Sequence, residues 1–294
     1  MSVGAVPIES AGALQAGRRA VRRELLGELL RSPLFLLGSF VLLVWIVCAI
    51  FGPQIAPHSP YAQNLEAINK PPSSAHLFGT DGLGRDMLSR VIVGSRSIMI
   101  IAPLATLLGT VAGTALGLIM GYFRGVTDDV IGRFVEAFLA LPLVVTALLV
   151  TNALGHSDAI IIVAIGIVFT PLIARTVRAA VIQERELDYV AAARLRDEKA
   201  PYIMFVEILP NVLAPVVVEF TVRLGYAIFT VAILSFLGLG IQPPNPDWGL
   251  EIAQNYPQVT AGFWWEVLFD ALAIASLVIA VNLIADSIER VLER

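Results

Sequence analysis

The sequence predicts an all-α polytopic membrane protein with six transmembrane helices. Two observations carry this reading. Hydrophobic residues make up 57% of the 294-residue chain and charged residues 15%, with a mean hydropathy of +0.79, whereas a soluble domain holds about 25% charged residues. The apolar residues also gather into runs near 33–52, 97–122, 132–154, 158–175, 208–240 and 264–286. Crossing a hydrocarbon core of about 30 Å takes roughly 17–25 residues of helix.

Residues 1–32 are read as a separate cytoplasmic N-terminal segment. Within it, Gly12–Arg31 suits either a basic amphipathic helix on the inner leaflet or a disordered basic tail. A signal peptide is excluded, because the first apolar run is too long and lacks a small-residue cleavage site. Residues 33–294 are read as one transmembrane domain. Its first span contains Cys48, the single cysteine, so no intramolecular disulfide forms. Residues 53–96 are predicted to lie outside. His58, His76 and His156 are scattered without metal-ligand spacing, and no metal site is expected.

The second span carries Gly109, Gly113, Gly117 and Gly121, a smooth stripe that admits close approach of another helix. Internal packing is the first reading and a dimer contact the alternative. Pro171 and Arg175 are expected to shorten the fourth span. The fifth run is too long for one perpendicular helix, so its first turns, around Pro210 and Pro215, are placed at the interface or tilted. Trp248, Trp264 and Trp265 suit the headgroup zone, and Asp270 is expected to reach water.

Orientation follows from the basic residues near span ends. Of the 20 Lys and Arg, only Lys70, Arg85, Arg90 and Arg96 fall on one side, and Arg223 falls within a span. The rest share the side of the N-terminus, so both termini are predicted to be cytoplasmic. On that side, residues 184–200 interrupt the apolar pattern with a charged loop. Ala191, Ala192 and Ala193 favour helix, Asp188 can cap its first turn, and Tyr189 and Leu195 add apolar area. The loop is either a grip for a soluble partner or a solvated hairpin joining two spans.

Several patches, in order, resemble binding-protein-dependent permeases of ATP-binding-cassette importers. The loop Asp188–Asn211, closing on Ile208-Leu209-Pro210-Asn211, is similar to the family's alanine-rich coupling motif. His76-Leu77-Phe78-Gly79-Thr80-Asp81 and Gly84-Arg85-Asp86, then Ser89-Arg90, look like a signature of the C-type dipeptide, oligopeptide and nickel permeases. Leu234–Gly240, Gln242-Pro243-Pro244, Asp247-Trp248-Gly249 and Asn282-Leu283 with Asp286 extend the likeness toward the C-terminus. The resemblance implies a type I importer permease fold in the cytoplasmic membrane of a bacterium or archaeon. It also implies a second homologous permease subunit, two ATP-binding subunits that hold ATP and Mg, and an extracytoplasmic substrate-binding protein. Membrane lipid is the remaining partner, and nucleic acid is not one.

Under this resemblance Tyr189, Ala192, Ala193, Arg194, Leu195 and Asp197 would contact the ATPase. Arg85, Asp86, Asp247 and Trp248 are candidates for meeting the binding protein. Ala191 stands where the motif often has glutamate and Asp197 where it usually has glycine, a turn position suited to φ > 0. Aspartate tolerates that conformation better than most residues. Arg85 and Asp86 are also read as a local salt bridge.

Neither Lys70-Pro71 nor Lys199-Ala200 completes a phosphate-binding loop, so ATP hydrolysis is assigned to other subunits. No cofactor, catalytic group or metal is assigned to this chain. Glu219 and Arg223, four apart in the fifth span, share a helix face. Intramembrane charges point to function by default, so the pair either lines a translocation path or neutralises itself against a neighbouring helix. The sequence thus reads as a permease subunit, most simply for dipeptides or oligopeptides. A permease for nickel or another small cargo, an ion-coupled transporter built on Glu219, and a polytopic membrane enzyme are the alternatives.

Overall fold

In the computed structural model, residues 27–155 and 157–292 are described. The N-terminal amphipathic reading falls almost wholly outside them, as do His156 and Arg294. Among the described residues the chain is helical, without strands: α1 (Pro33–Ile55), α2 (Met87–Phe123), α3 (Gly125–Leu139), α4 (Leu143–Leu154), α5 (Asp158–Glu184), α6 (Asp188–Leu195), α7 (Leu213–Phe236), α8 (Trp248–Asn255) and α9 (Trp265–Leu292). Five of these, α1, α2, α5, α7 and α9, are long and apolar enough to cross a membrane. The pair α3 and α4, bent by 91°, makes a sixth if counted as one span.

That bend falls within the third span read near 132–154, which is broken rather than continuous. The residue before a proline is pushed out of the helical region, and the chain breaks at Leu141-Pro142 before restarting at Leu143. The fourth span is corrected too. Pro171 lies inside α5, which runs on past Arg175 to Glu184; membrane helices tolerate proline where neighbours re-satisfy the backbone. The excess length of the fifth run resolves into a π-helical turn, Ile203–Ile208, and a fresh start at Leu213.

Helix α2 has 37 residues, about 55 Å at 1.5 Å per residue, well over a hydrocarbon thickness of about 30 Å. Its N-cap is Asp86, which accepts from the Ser89 amide. Along its middle the glycine stripe faces α5. A methyl group on Gly109, Gly113, Gly117 or Gly121 would lie within 2.7–2.8 Å of the Cβ of Phe169, Ile173, Val177 or Val181 respectively. Gly166 of α5 reciprocates beneath Leu108. The stripe is internal packing between two helices of one chain, as first read. The core continues through Ile101, Leu118, Phe169, Ile228, Leu234 and Leu277, all buried.

Residues 56–86 and α8 form a cap over the N-terminal end of α2. Helix α8 wedges so closely against α7 that a side chain at Gly249 would strike the Ala232 carbonyl, 2.2 Å away.

Candidate functional sites at the two ends of the bundle

Helix α6 hangs from the end of α5 on a short turn. Its N-cap is Leu187, so Asp188 occupies the first helical position without capping through its side chain, which corrects the capping role expected for it. Eight residues give little more than two turns, and Val190 and Ala193, three apart, are the buried face. Ala191, Ala192, Arg194 and Leu195 turn outward, Leu195 with 89% of its surface exposed. Ala193 therefore packs into the core, because the face it shares with Val190 is what holds α6 to the bundle.

The exit of α6 explains Asp197. The amide of Glu198 donates to the Ala193 carbonyl at 3.2 Å, and that of Asp197 to Arg194 at 3.0 Å. Together they form the Schellman closure, whose left-handed residue is commonly glycine. Asp197 fills it at φ +58, so the departure from glycine keeps the turn. Arg196 then reaches Glu207 at 2.9 Å.

Tyr189 is half-buried at the root of α6. Its hydroxyl donates to Glu184 Oε1 at 2.8 Å and accepts from Asn211 Nδ2 at 3.1 Å. Burial, with the Glu184 carboxylate beside it, pushes the phenol up to about 12. Tyr189 and Asn211 thus tie α6 to the following segment. Arg194 lies over the Tyr122 ring, and Arg185 donates to the Tyr122 carbonyl at the end of α2.

Inside the bundle, Arg223 Nε donates to Glu219 Oε2 at 2.9 Å, and Thr176 of α5 donates to Glu219 Oε1 at 2.8 Å. The guanidinium also sits 5.7 Å from the Tyr226 ring centroid. Both charged side chains are partly exposed, so the pair bridges α7 to α5 while keeping an edge open.

At the cap, Arg85, Asp86, Asp247 and Trp248 are all buried. Arg85 pairs with Asp81 at 2.6 Å, not with Asp86 as expected, because the Gly84 turn folds its side chain back over the Asp81 carboxylate. Asp247 caps α8 by accepting from the Leu250 amide, and Trp248 donates its indole N–H to the Val91 carbonyl at 2.9 Å. These groups fasten the cap internally; the outward surface nearby is Tyr61, Leu65, Leu77 and Leu83. Trp248 and Trp265 are likewise internal, leaving Trp264 exposed for a headgroup zone.

Spacing also separates groups that folding gathers. His58 and His76 lie with ring centroids 4.9 Å apart, each with Nδ1 toward Asp86 Oδ1, at 3.5 and 2.8 Å. Burial works against the Asp86 carboxylate, yet hydrogen bonds from Ser89 and His76, with His58 nearby, hold it below its ordinary range. Beneath the cap, Arg90 reaches Glu251 at 3.1 Å and donates to the Pro60 carbonyl, entirely buried. Burial pushes the Glu251 carboxyl up, with Arg90 opposing. Asp270, expected to reach water, is fully buried under α8. The signal that could have found the pair is that Arg90 closes the first signature patch and Glu251 follows Asp247-Trp248-Gly249 in the second.

Residues 113–294 match the family described as binding-protein-dependent transport system inner membrane component. Residues 21–72 match the N-terminal TM domain of oligopeptide transport permease C. The chain is 40% identical over 266 residues to the dipeptide transport system permease protein DppC of Escherichia coli K12, covering 87% of this chain and 88% of that protein. It is 34% identical to the DppC of Bacillus subtilis, covering 90% and 83%, and 37% identical to the di/tripeptide permease DppC of Pseudomonas aeruginosa, covering 87% and 86%. A helical bundle with five or six spans and matches along nearly its whole length lead to one conclusion: the chain belongs to the binding-protein-dependent transport system inner membrane components.

Proposed function

We propose that this chain is the permease subunit of an ATP-driven importer of dipeptides or oligopeptides, forming half of a translocation pathway with a second, homologous permease. The observation that carries this reading is α6, a short helix with an exposed Leu195 beside Arg194, fixed at the end of α5. The peptide cargo is supported by the names of the relatives. In this reading α6 faces the cytoplasm and seats on one of two ATP-binding subunits, which hold ATP and Mg. A binding protein delivers cargo to the opposite face. Closure of the ATPases pushes α6 and shifts the bundle between two states that differ in access, a population shift driven by differential binding. The chain itself performs no covalent chemistry on the cargo.

The test is Leu195→Asp, together with Ala192→Glu on the same outward face. Neither side chain supports the bundle, so the variants fold and insert. Co-purification of the ATPase and uptake of a labelled dipeptide are both expected to fall at least tenfold. Wild-type uptake in a correctly inserted double variant refutes the coupling role, and uptake of nickel instead of dipeptide refutes the cargo.

A further inference from the structure

We propose that His58, His76 and Asp86 form a binding site for a borderline divalent transition metal, Zn²⁺ or Ni²⁺ by chemistry, that staples the cap to the start of α2. The three residues come from separate parts of the chain: the loop after α1, the turn before Gly79 and the N-cap of α2. Their ligand atoms lie within 4.8 Å of one another. Tetrahedral zinc with bonds of about 2.0–2.1 Å places its ligands about 3.3 Å apart. The His58 Nδ1 to Asp86 Oδ1 distance, 3.5 Å, is already close to that value. The His76 separation, 2.8 Å, is that of the hydrogen bond that a metal would replace.

The division of labour on Asp86 favours a ligand role. Its Oδ2 is committed to the Ser89 amide and hydroxyl, which fixes the carboxylate plane. Its Oδ1 faces only the two imidazoles, and no Lys or Arg among the described residues pairs with it. The neighbouring Arg85 is taken up by Asp81. A buried carboxylate with one oxygen turned to two histidines and no fixed cation is short of positive charge, and a divalent ion supplies it. The His58 backbone amide donates to Ser89 Oγ, so the same serine that orients the carboxylate anchors the backbone that carries one imidazole. The His58 side chain is 45% exposed, which leaves it room to close on the ion and gives the fourth position to water. Two imidazoles with one carboxylate suit zinc and nickel, whereas magnesium prefers oxygen ligands.

The experiment uses the full chain in lipid nanodiscs, free of any purification tag, titrated with Zn²⁺, Co²⁺ and Mg²⁺. One Zn²⁺ per chain is expected, with a rise in thermal midpoint, the d–d absorption of low-symmetry Co²⁺, and no response to Mg²⁺. His58→Gln and His76→Gln keep a hydrogen-bonding amide toward Asp86 but are poor ligands, and each is expected to weaken Zn²⁺ binding at least tenfold. The double variant is expected to abolish the Co²⁺ spectrum while eluting as a single folded species. Absence of saturable Zn²⁺ binding by the wild-type chain overturns the proposal. So does equal binding by the double variant, and, should that variant misfold, a wild-type X-ray absorption spectrum without imidazole scattering does the same.

Discussion

Replacing Gly113 and Gly117 with alanine puts two methyl groups into the seam between α2 and α5. The new carbon at position 113 would stand 2.8 Å from both the Ile173 Cβ and the Thr170 carbonyl oxygen; at 117 the distances are 2.7 Å to the Val177 Cβ and 2.8 Å to the Ala174 oxygen. Comfortable carbon contacts lie near 3.5–4.0 Å, so the helices must part by about 1 Å. The obstacles include backbone, which does not rotate away. Overpacking of this kind costs about 2 kcal/mol per site, and alanine recovers about 1 kcal/mol per site of helix propensity. The pair shares one seam, so its effects are coupled, and the net loss is about 2 kcal/mol, roughly 30-fold in the folding equilibrium. Reversible unfolding in mixed micelles, followed by the fluorescence of the buried Trp248 and Trp265, measures it. Gly132→Ala is the control, because its nearest new contact is an ordinary 3.7 Å from Met120. An unchanged midpoint in the double variant, or normal folding with loss of association between chains, refutes an internal seam.

Three further outcomes are expected. Glu219→Gln strands Arg223 at membrane depth, at a cost of about 2.5 kcal/mol or more, and lowers assembly; Glu219→Gln with Arg223→Leu restores it, and transport by that double variant separates a purely structural pair from one lining the path. Tyr189 titrates near 12, above its ordinary value of 10.0; its stabilising contribution is therefore complete below pH 10 and lost between about 10 and 12, and absorbance at phenolate wavelengths with Tyr189→Phe as blank checks it, Glu184→Gln lowering the value. In a Cys48→Ser background, a cysteine at Lys199 is expected to react only from the cytoplasmic side and one at Lys70 only from the other, so reversed labelling refutes the orientation.

The spans were legible because an apolar run of twenty residues has few other fates. The glycine stripe was legible for a related reason: a four-residue repeat fixes one helix face. What the reading missed lay in single residues whose meaning depends on the partner. Pro142 broke the third span although it sits in an unbroken apolar run, while Pro171 left α5 intact. Nothing local to the two prolines separates these outcomes. Ala192 and Ala193 looked equivalent in sequence, yet the step of about 100° between neighbouring helical residues leaves one exposed and buries the other. Trp248 read as an interfacial anchor, since an indole near a span end usually is one; its burial depends on the Val91 carbonyl, 157 residues away. The same holds for His58 and His76, which spacing separates and the cap unites.

The length of α2 has a mechanical meaning. Asp86 at one tip is gripped by the cap, and Tyr122 near the other carries Arg185 and Arg194. Between them runs a rod of about 55 Å, laid against α5 so tightly that the two cannot slide past each other without lifting side chains over backbone. Such a rod turns a small tilt into a large stroke: pivoting by about 5° at its capped tip would carry the far end some 5 Å. Under the proposed coupling role, a push delivered on α6 therefore need not deform the helices in between. It would swing α2 and α5 as a single beam, and the cap would feel it as leverage.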